Sequence, residues 1–141
     1  MPNVIDISWA AFALRVQKLS ALIKDSGIKY DYLYGIPRGG LIPAVMLSHI
    51  LQIPVTVHLN WDDLIINYKV LIVDDIADSG KTIEKFINIF DIATVYCKIH
   101  LHKKPKFYAV EVSHDEWIKF PYETAVNDPI SEINMVDRVE K

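Results

Sequence analysis

The chain contains 141 residues, of which 51% are hydrophobic and 23% are charged. This composition excludes an intrinsically disordered chain, and the length suffices for one domain, expected over residues 1–141, without a disulfide or metal staple. The net charge of −3 excludes a globally basic nucleic-acid-binding surface. The chain has one cysteine, Cys97, which excludes an internal disulfide, and its position in an apolar run predicts a buried thiol. The N-terminus does not resemble a signal peptide and no apolar stretch reaches membrane-spanning length, so we expect a cytoplasmic protein with no membrane partner.

Helices and strands alternate along the chain. Residues 6–27 are predicted to form a helix, with Ser8 as its N-cap and Gly27 as its stop. The pattern then predicts a strand over 30–36, a loop over 35–40, a helix over 41–51 and a short strand over 53–59. An apolar strand over 69–74, a helix over 82–90 and strands over 93–101 and 107–112 follow, and the C-terminal residues are expected to be irregular.

This order predicts an α/β fold whose central parallel sheet is covered by helices on both faces. Ligands of such sheets bind beyond the carboxyl ends of the strands. The loops that begin at Gly35 and Asp74 are therefore expected to carry the chemistry.

The loop after the strand over 69–74 is the most informative stretch. Its backbone N–H groups, with the hydroxyls of Ser79 and Thr82, are suited to hold a phosphate monoester, and Gly80 lets the backbone approach that anion. Asp74 and Asp75 would repel an anion, so ribose hydroxyls, a magnesium ion, or both are their natural partners. The combination indicates a sugar-phosphate site.

The same stretch has other interpretations. Gly80-Lys81-Thr82 matches the end of a Walker A loop, but that motif requires a glycine at the position of Asp75. An aspartyl-phosphate receiver domain also places acids at strand ends, but it does not account for the phosphate cradle that follows. A helix cap formed by Asp78 or Ser79 is the plain structural alternative.

The run Val-Leu-Ile-Val-Asp-Asp-Ile-Ala-Asp-Ser-Gly-Lys-Thr, residues 70–82, resembles the phosphoribosyl-pyrophosphate (PRPP) signature of type I phosphoribosyltransferases. The resemblance implies that family's fold, a central parallel sheet flanked by helices with a small C-terminal hood, here residues 113–141. It implies that the paired acids face the ribose and that the loop holds the 5′-phosphate. The implied PRPP-binding residues are Asp74, Asp75, Ala77, Asp78, Ser79, Gly80, Lys81 and Thr82, with Asp75 and Asp74 also implied as ligands of Mg²⁺.

Residues 35–40, Gly-Ile-Pro-Arg-Gly-Gly, form a second candidate loop. Arg38 can donate up to five hydrogen bonds to phosphate oxygens. The segment resembles the family's pyrophosphate loop, which often contains Arg-Gly-Gly and a strained peptide bond. This implies Pro37, Arg38 and Gly39 as pyrophosphate-binding residues, with the special bond either at Ile36-Pro37 or at Pro37-Arg38.

A third stretch, Asp-Glu-Trp-Ile-Lys-Phe-Pro-Tyr-Glu over 115–123, resembles the Trp-Ile/Val-x-x-Pro-Trp-Glu segment of bacterial xanthine-guanine phosphoribosyltransferases. The resemblance implies that Trp117 stacks on a purine and that the backbone of Ile118 contacts it. It also implies that Lys98, a charge in an apolar strand, donates to the 6-oxo group of guanine, hypoxanthine or xanthine. Asp78 would lie near N7 of the base and, with Arg38, act in catalysis.

These resemblances imply a purine phosphoribosyltransferase that uses small-molecule substrates and Mg²⁺ and forms a homodimer or homotetramer. One region departs from the family pattern: residues 60–68 are short where relatives carry a long closing loop with a Ser-Tyr pair. The alternative is therefore a non-catalytic or regulatory PRPP- or nucleotide-binding homologue. An acceptor other than a purine is a third interpretation, if Lys98 points to solvent.

Overall fold

A computed structural model describes residues 3–57, 62 and 66–123. Its strands are β1 (Asn3–Asp6), β2 (Tyr32–Gly35), β3 (Val70–Ala77), β4 (Asp91–Lys98), β5 (Phe107–Val112) and β6 (Glu116–Lys119). Its helices are α1 (Trp9–Asp25), α2 (Leu41–Leu51) and α3 (Lys81–Phe86). None of the helices in this described part of the chain is long and apolar enough to cross a membrane.

The central sheet has the strand order β2-β3-β4-β5, and all its neighbouring strands are parallel. Side chains alternate between its two faces: Leu71 and Val73 pack in the cluster that contains Phe12 and Leu47 of α1 and α2. Ile72 packs in the opposite cluster with residues of α3. The predicted α/β class, a parallel sheet flanked by helices, is confirmed, and both candidate loops leave the carboxyl ends of central strands.

Helix α1 follows from its local sequence. The Ser8 side chain accepts a hydrogen bond from the backbone N–H of Ala11 at 3.0 Å, as the capping prediction requires. Gly27 follows the helix with a φ of 73°, a left-handed conformation that favours glycine. The apolar side chains at helical spacing, Phe12, Val16, Leu19 and Ile23, are all buried.

A second, two-stranded parallel sheet joins β1 to β6. Val4 pairs with Trp117 and Ile5 with Ile118. Neither strand is predicted from the sequence, and the expected helix over 6–27 is wrong at its start, because Asp6 belongs to β1. Strands of four residues carry little local signal, and each of these depends on a partner far along the chain.

Other boundaries also differ from the predictions: β2 is shorter than the strand expected over 30–36, and β4 begins and ends earlier than the strand expected over 93–101. The strand expected over 53–59 is reduced, among its described residues, to one parallel bridge between Val55 and Leu33. Strand β3 continues through both acids to Ala77 because β4 pairs with it along that length. Helix α3 ends at Phe86, whereas the prediction extends to residue 90. The predicted short segment over 60–68 lies mostly outside the described residues.

Candidate active site

The loop after β2 lies directly against β3. The backbone N–H of Ile36 donates to the carbonyl of Val73 at 2.9 Å, which continues the sheet into the loop. A Cβ on Gly40 would overlap that same carbonyl and the backbone of Ile36. Glycine is therefore required at Gly40 for the loop to pack this closely on the central strand.

Asp75 is the point at which three parts of the chain meet. The hydroxyl of Tyr122 donates to its Oδ2 at 2.6 Å, and a Cβ on Gly39 would lie 2.8 Å from its Cγ. The backbone N–H of Asp75 donates to Oδ1 of Asp74 at 2.9 Å. Burial raises the pKa of Asp75, and the hydrogen bond from Tyr122 opposes part of that rise. The predicted acid pair thus lies beside the predicted pyrophosphate loop.

The loop itself carries the predicted unusual peptide bond. Of the two candidates, the bond between Pro37 and Arg38 is cis. The Arg38 side chain is exposed, whereas Pro37 and Gly39 are partly buried. The backbone of this turn is closed by a hydrogen bond from the N–H of Gly40 to the carbonyl of Ile36 at 2.8 Å. The Arg38 side chain is therefore exposed to solvent at the carboxyl end of the sheet, on a turn whose backbone is closed by a hydrogen bond.

The loop after β3 is short and open. Asp78 and Ser79 are exposed, and Gly80 has a φ of 82° immediately before α3. Ala77 is buried at the end of the strand. Of the other predicted phosphate-binding residues, Lys81 is exposed and Thr82 is partly buried. The left-handed conformation at Gly80 favours glycine and turns the exposed loop into the first turn of the helix.

Lys98 has an environment that its position in an apolar strand does not reveal. Its side chain is buried, with 4% of the residue exposed. Its ammonium donates to the carbonyls of Ser113 at 3.2 Å, His114 at 3.4 Å and Glu116. An ammonium group has three protons to donate, so these carbonyls satisfy it fully. Lys98 points into the predicted hood rather than to solvent, which removes the condition for a non-purine acceptor.

The predicted stacking residue follows this cluster directly. Trp117 is 55% exposed and lies beside Val4 across the two-stranded sheet. Ile118, on the opposite face of β6, is buried in the main core. Lys98 holds the carbonyl of Glu116, the residue before Trp117. The three predicted base-binding residues are thus brought together, with an aromatic face left open to solvent.

Two residues that were not predicted from the sequence, Tyr122 and Glu123, also lie at this site. Tyr122 bonds to Asp75. Burial and the charge of Asp75 raise the pKa of Glu123, and Lys119 and Arg38 oppose that rise. One signal was present: Tyr122 stands where the resembled segment has tryptophan, so the ring is kept and a hydroxyl is added.

Comparisons with known proteins agree with this geometry, although no family model matches the chain. The chain is 35% identical over 114 residues to the xanthine-guanine phosphoribosyltransferase of Cereibacter sphaeroides. This alignment covers 65% of the present chain and 68% of that relative. It is 27% identical over 151 aligned positions to the protein of that name from Nitratidesulfovibrio vulgaris, with 94% and 92% covered. The purine phosphoribosyltransferase structure from Pyrococcus horikoshii superposes with a TM-score of 0.71 at 28% identity, covering 89% and 99%.

The parallel sheet, the acids at the end of its central strand and the superposition confirm the predicted fold class, that of the type I phosphoribosyltransferases. The chain belongs to the family of the bacterial xanthine-guanine phosphoribosyltransferases.

Proposed function

We propose that this protein is an enzyme that transfers the 5-phosphoribosyl group from PRPP to N9 of a 6-oxopurine, either guanine, xanthine or hypoxanthine, and releases pyrophosphate. One observation carries the proposal: Gly39 of the loop after β2, Asp75 of the central strand and Tyr122 of the hood meet in one cluster. A group transfer between two bound substrates requires this convergence, because both must be oriented at one reacting carbon.

The loop after β3 binds the 5-phosphoribosyl end of PRPP. Backbone N–H groups between Asp78 and Thr82, with the hydroxyls of Ser79 and Thr82, donate to the 5′-phosphate. The carboxylates of Asp74 and Asp75 accept hydrogen bonds from the ribose hydroxyls. Asp75 is held for this task by its own hydrogen bond from Tyr122.

The loop after β2 binds the pyrophosphate end. The exposed guanidinium of Arg38 donates to the oxygens on which negative charge builds as the bond from C1′ to pyrophosphate breaks. Asp74 and Asp75 provide the oxygen donors that Mg²⁺ prefers, and this ion usually takes one or two carboxylates and completes its shell with substrate phosphates and water. Two neighbouring carboxylates at the end of the central strand fit such a substrate-completed set. Asp74 and Asp75 would hold the ion, which would supply neutralisation of the charge on the leaving pyrophosphate.

The purine lies on Trp117, whose open face suits base stacking, next to the backbone of Ile118. As N9 bonds to C1′, Asp78 accepts the proton that the base loses. The 6-oxo group accepts from Lys98, so it replaces at least one of the three carbonyls to which Lys98 now donates. The hydrogen bond from Lys98 favours 6-oxopurines over adenine, because the 6-amino group of adenine cannot accept it.

A turnover screen tests the proposal. Guanine, xanthine, hypoxanthine and adenine are each supplied with PRPP and Mg²⁺, and pyrophosphate release is measured beside calorimetric binding of PRPP and of GMP. We expect turnover with the 6-oxopurines and none with adenine. Binding without pyrophosphate release would instead favour the non-catalytic homologue. Light scattering on the same sample tests the expected homodimer or homotetramer.

Matched variants test the site assignment. Asp75→Asn and Asp78→Ala are each expected to lower kcat/KM by at least about 100-fold, the size of one lost transition-state or acid–base contact. Asp31→Asn is the control, because its carboxylate accepts a backbone hydrogen bond from Lys69 at 2.7 Å at the opposite end of the sheet. Full activity in both site variants would show that the assignment is wrong.

A further inference from the structure

Tyr122 links the hood segment both to the loop after β2 and to the central strand β3 through one oxygen atom. Its hydroxyl donates to Oδ2 of Asp75 at 2.6 Å and lies 3.5 Å from the carbonyl oxygen of Gly39. Gly39 lies in the loop after β2 and Asp75 lies on β3, and Tyr122 approaches both from beyond β6.

The position of this hydroxyl is determined by the core rather than by the loops. The Tyr122 ring stacks on Phe120 with centroids 5.4 Å apart and planes 4° apart. Phe12 meets it edge-on at 5.8 Å and Trp9 lies against it at 6.1 Å. Aromatic rings packed on several sides have few alternative orientations.

We propose that Tyr122 is a positioning residue for the PRPP site: it fixes the Asp75 carboxylate against the pyrophosphate loop and ties the hood to that geometry. The backbone of Gly39 packs closely against the same carboxylate, since a Cβ there would overlap it. Asp75 is therefore held by this close backbone contact and by a phenol that is anchored in the core. The inference rests on the proposed function, because it assigns Asp75 to PRPP.

Tyr122→Phe tests this inference, because it removes the hydroxyl and keeps the ring contacts. The KM and calorimetric Kd for PRPP are expected to rise about tenfold, the effect of one hydrogen bond to a charged group. The KM for guanine is expected to stay within about twofold, since Trp117 and Lys98 are untouched. A merely structural role would lower the Tm without this split between the two substrates.

Tyr30→Phe is the matched control. The Tyr30 hydroxyl donates to a carboxylate oxygen of Asp91 at 2.6 Å, at the amino-terminal end of β4. The Tyr30→Phe variant loses an equally short hydrogen bond from a phenol to a carboxylate, but far from the site. Its Tm is therefore expected to fall while its KM for PRPP stays unchanged. If Tyr122→Phe is too unstable for assay at 25 °C, the rise in Tm that PRPP induces still reports its affinity.

The outcomes separate the two claims. A wild-type protein that neither binds nor turns over PRPP overturns the proposed function, and with it this inference. A wild type that turns over, beside a Tyr122→Phe variant with unchanged KM and Kd for PRPP, overturns the inference alone. An equal rise in KM for both substrates also overturns it, because it indicates a general loss of the fold.

Discussion

Replacing Lys98 by methionine probes both the hood and base recognition. The substitution keeps an unbranched side chain of similar length but removes three hydrogen bonds from the buried ammonium to the carbonyls of Ser113, His114 and Glu116. At about 1.5 kcal/mol for each bond from a charged donor, the loss is about 4.5 kcal/mol. Methionine also avoids the cost of burying a charge, and this gain offsets part of the hydrogen-bond loss. The net decrease in the free energy of unfolding is about 2 kcal/mol.

Thermal unfolding and steady-state kinetics measure the two consequences. For a domain of this size a loss of about 2 kcal/mol lowers the Tm by about 4–8 °C. If Lys98 also donates to the 6-oxo group, the KM for guanine rises about tenfold and the KM for PRPP does not.

Lys119→Met provides the control within the same segment. Lys119 is partly buried, with 43% of its side chain exposed, and its ammonium lies 4.0 Å from a carboxylate oxygen of Asp6. Loss of so weak a surface pair shifts the Tm by less than about 2 °C. An unchanged Tm in Lys98→Met would refute the stabilising role of the carbonyl cluster. A lowered Tm with an unchanged KM for guanine would refute base recognition by Lys98 and show that Lys98 only stabilises the hood.

Three further predictions concern single residues. Trp117→Ala should raise the KM for the purine about 10- to 100-fold, from about 1–3 kcal/mol of stacking, and equal effects on PRPP would contradict this. Gly39→Ala places a Cβ 2.8 Å from Cγ of Asp75, inside the ~3.5–4.0 Å of an ordinary contact, so the KM for PRPP should rise about tenfold; unchanged kinetics would show that the loops separate freely. Burial raises the pKa of the Cys97 thiol to about 11, so thiolate forms only as the pH rises toward that value, and iodoacetamide should react at pH 8 more than about 100-fold slower in the native than in the unfolded protein; similar rates would contradict the burial.

The central sheet and its helices are largely predictable because their signals are local. Helix α2 and strand β5 have the predicted bounds, and the buried Cys97 lies where an apolar strand places it. An apolar run of several residues, or a stripe at helical spacing, indicates burial without knowledge of the partner. The motif of the predicted PRPP loop is also visible in the sequence, since its residues are contiguous.

The parts that could not be predicted depend on distant partners. Strands β1 and β6 are each too short to stand out, and only their pairing makes them strands. The hydrogen bond from Tyr122 to Asp75 joins residues on different elements, and ring orientation is not encoded in residue type. The carbonyls around Lys98 belong to a turn whose path is determined by β6. These are tertiary choices, and local patterns do not specify them.

The pairing of β1 with β6 also has a consequence for the order of assembly. Asn3 pairs with Glu116 and Asp6 with Lys119, so the first described strand pairs with the last described strand. Contacts between such distant residues form after local ones, because closing the intervening chain costs entropy that only later contacts repay. We therefore expect the strand that carries Trp117 to pair late in folding. A partly folded chain is expected to form the loop after β3 before β6 pairs with β1.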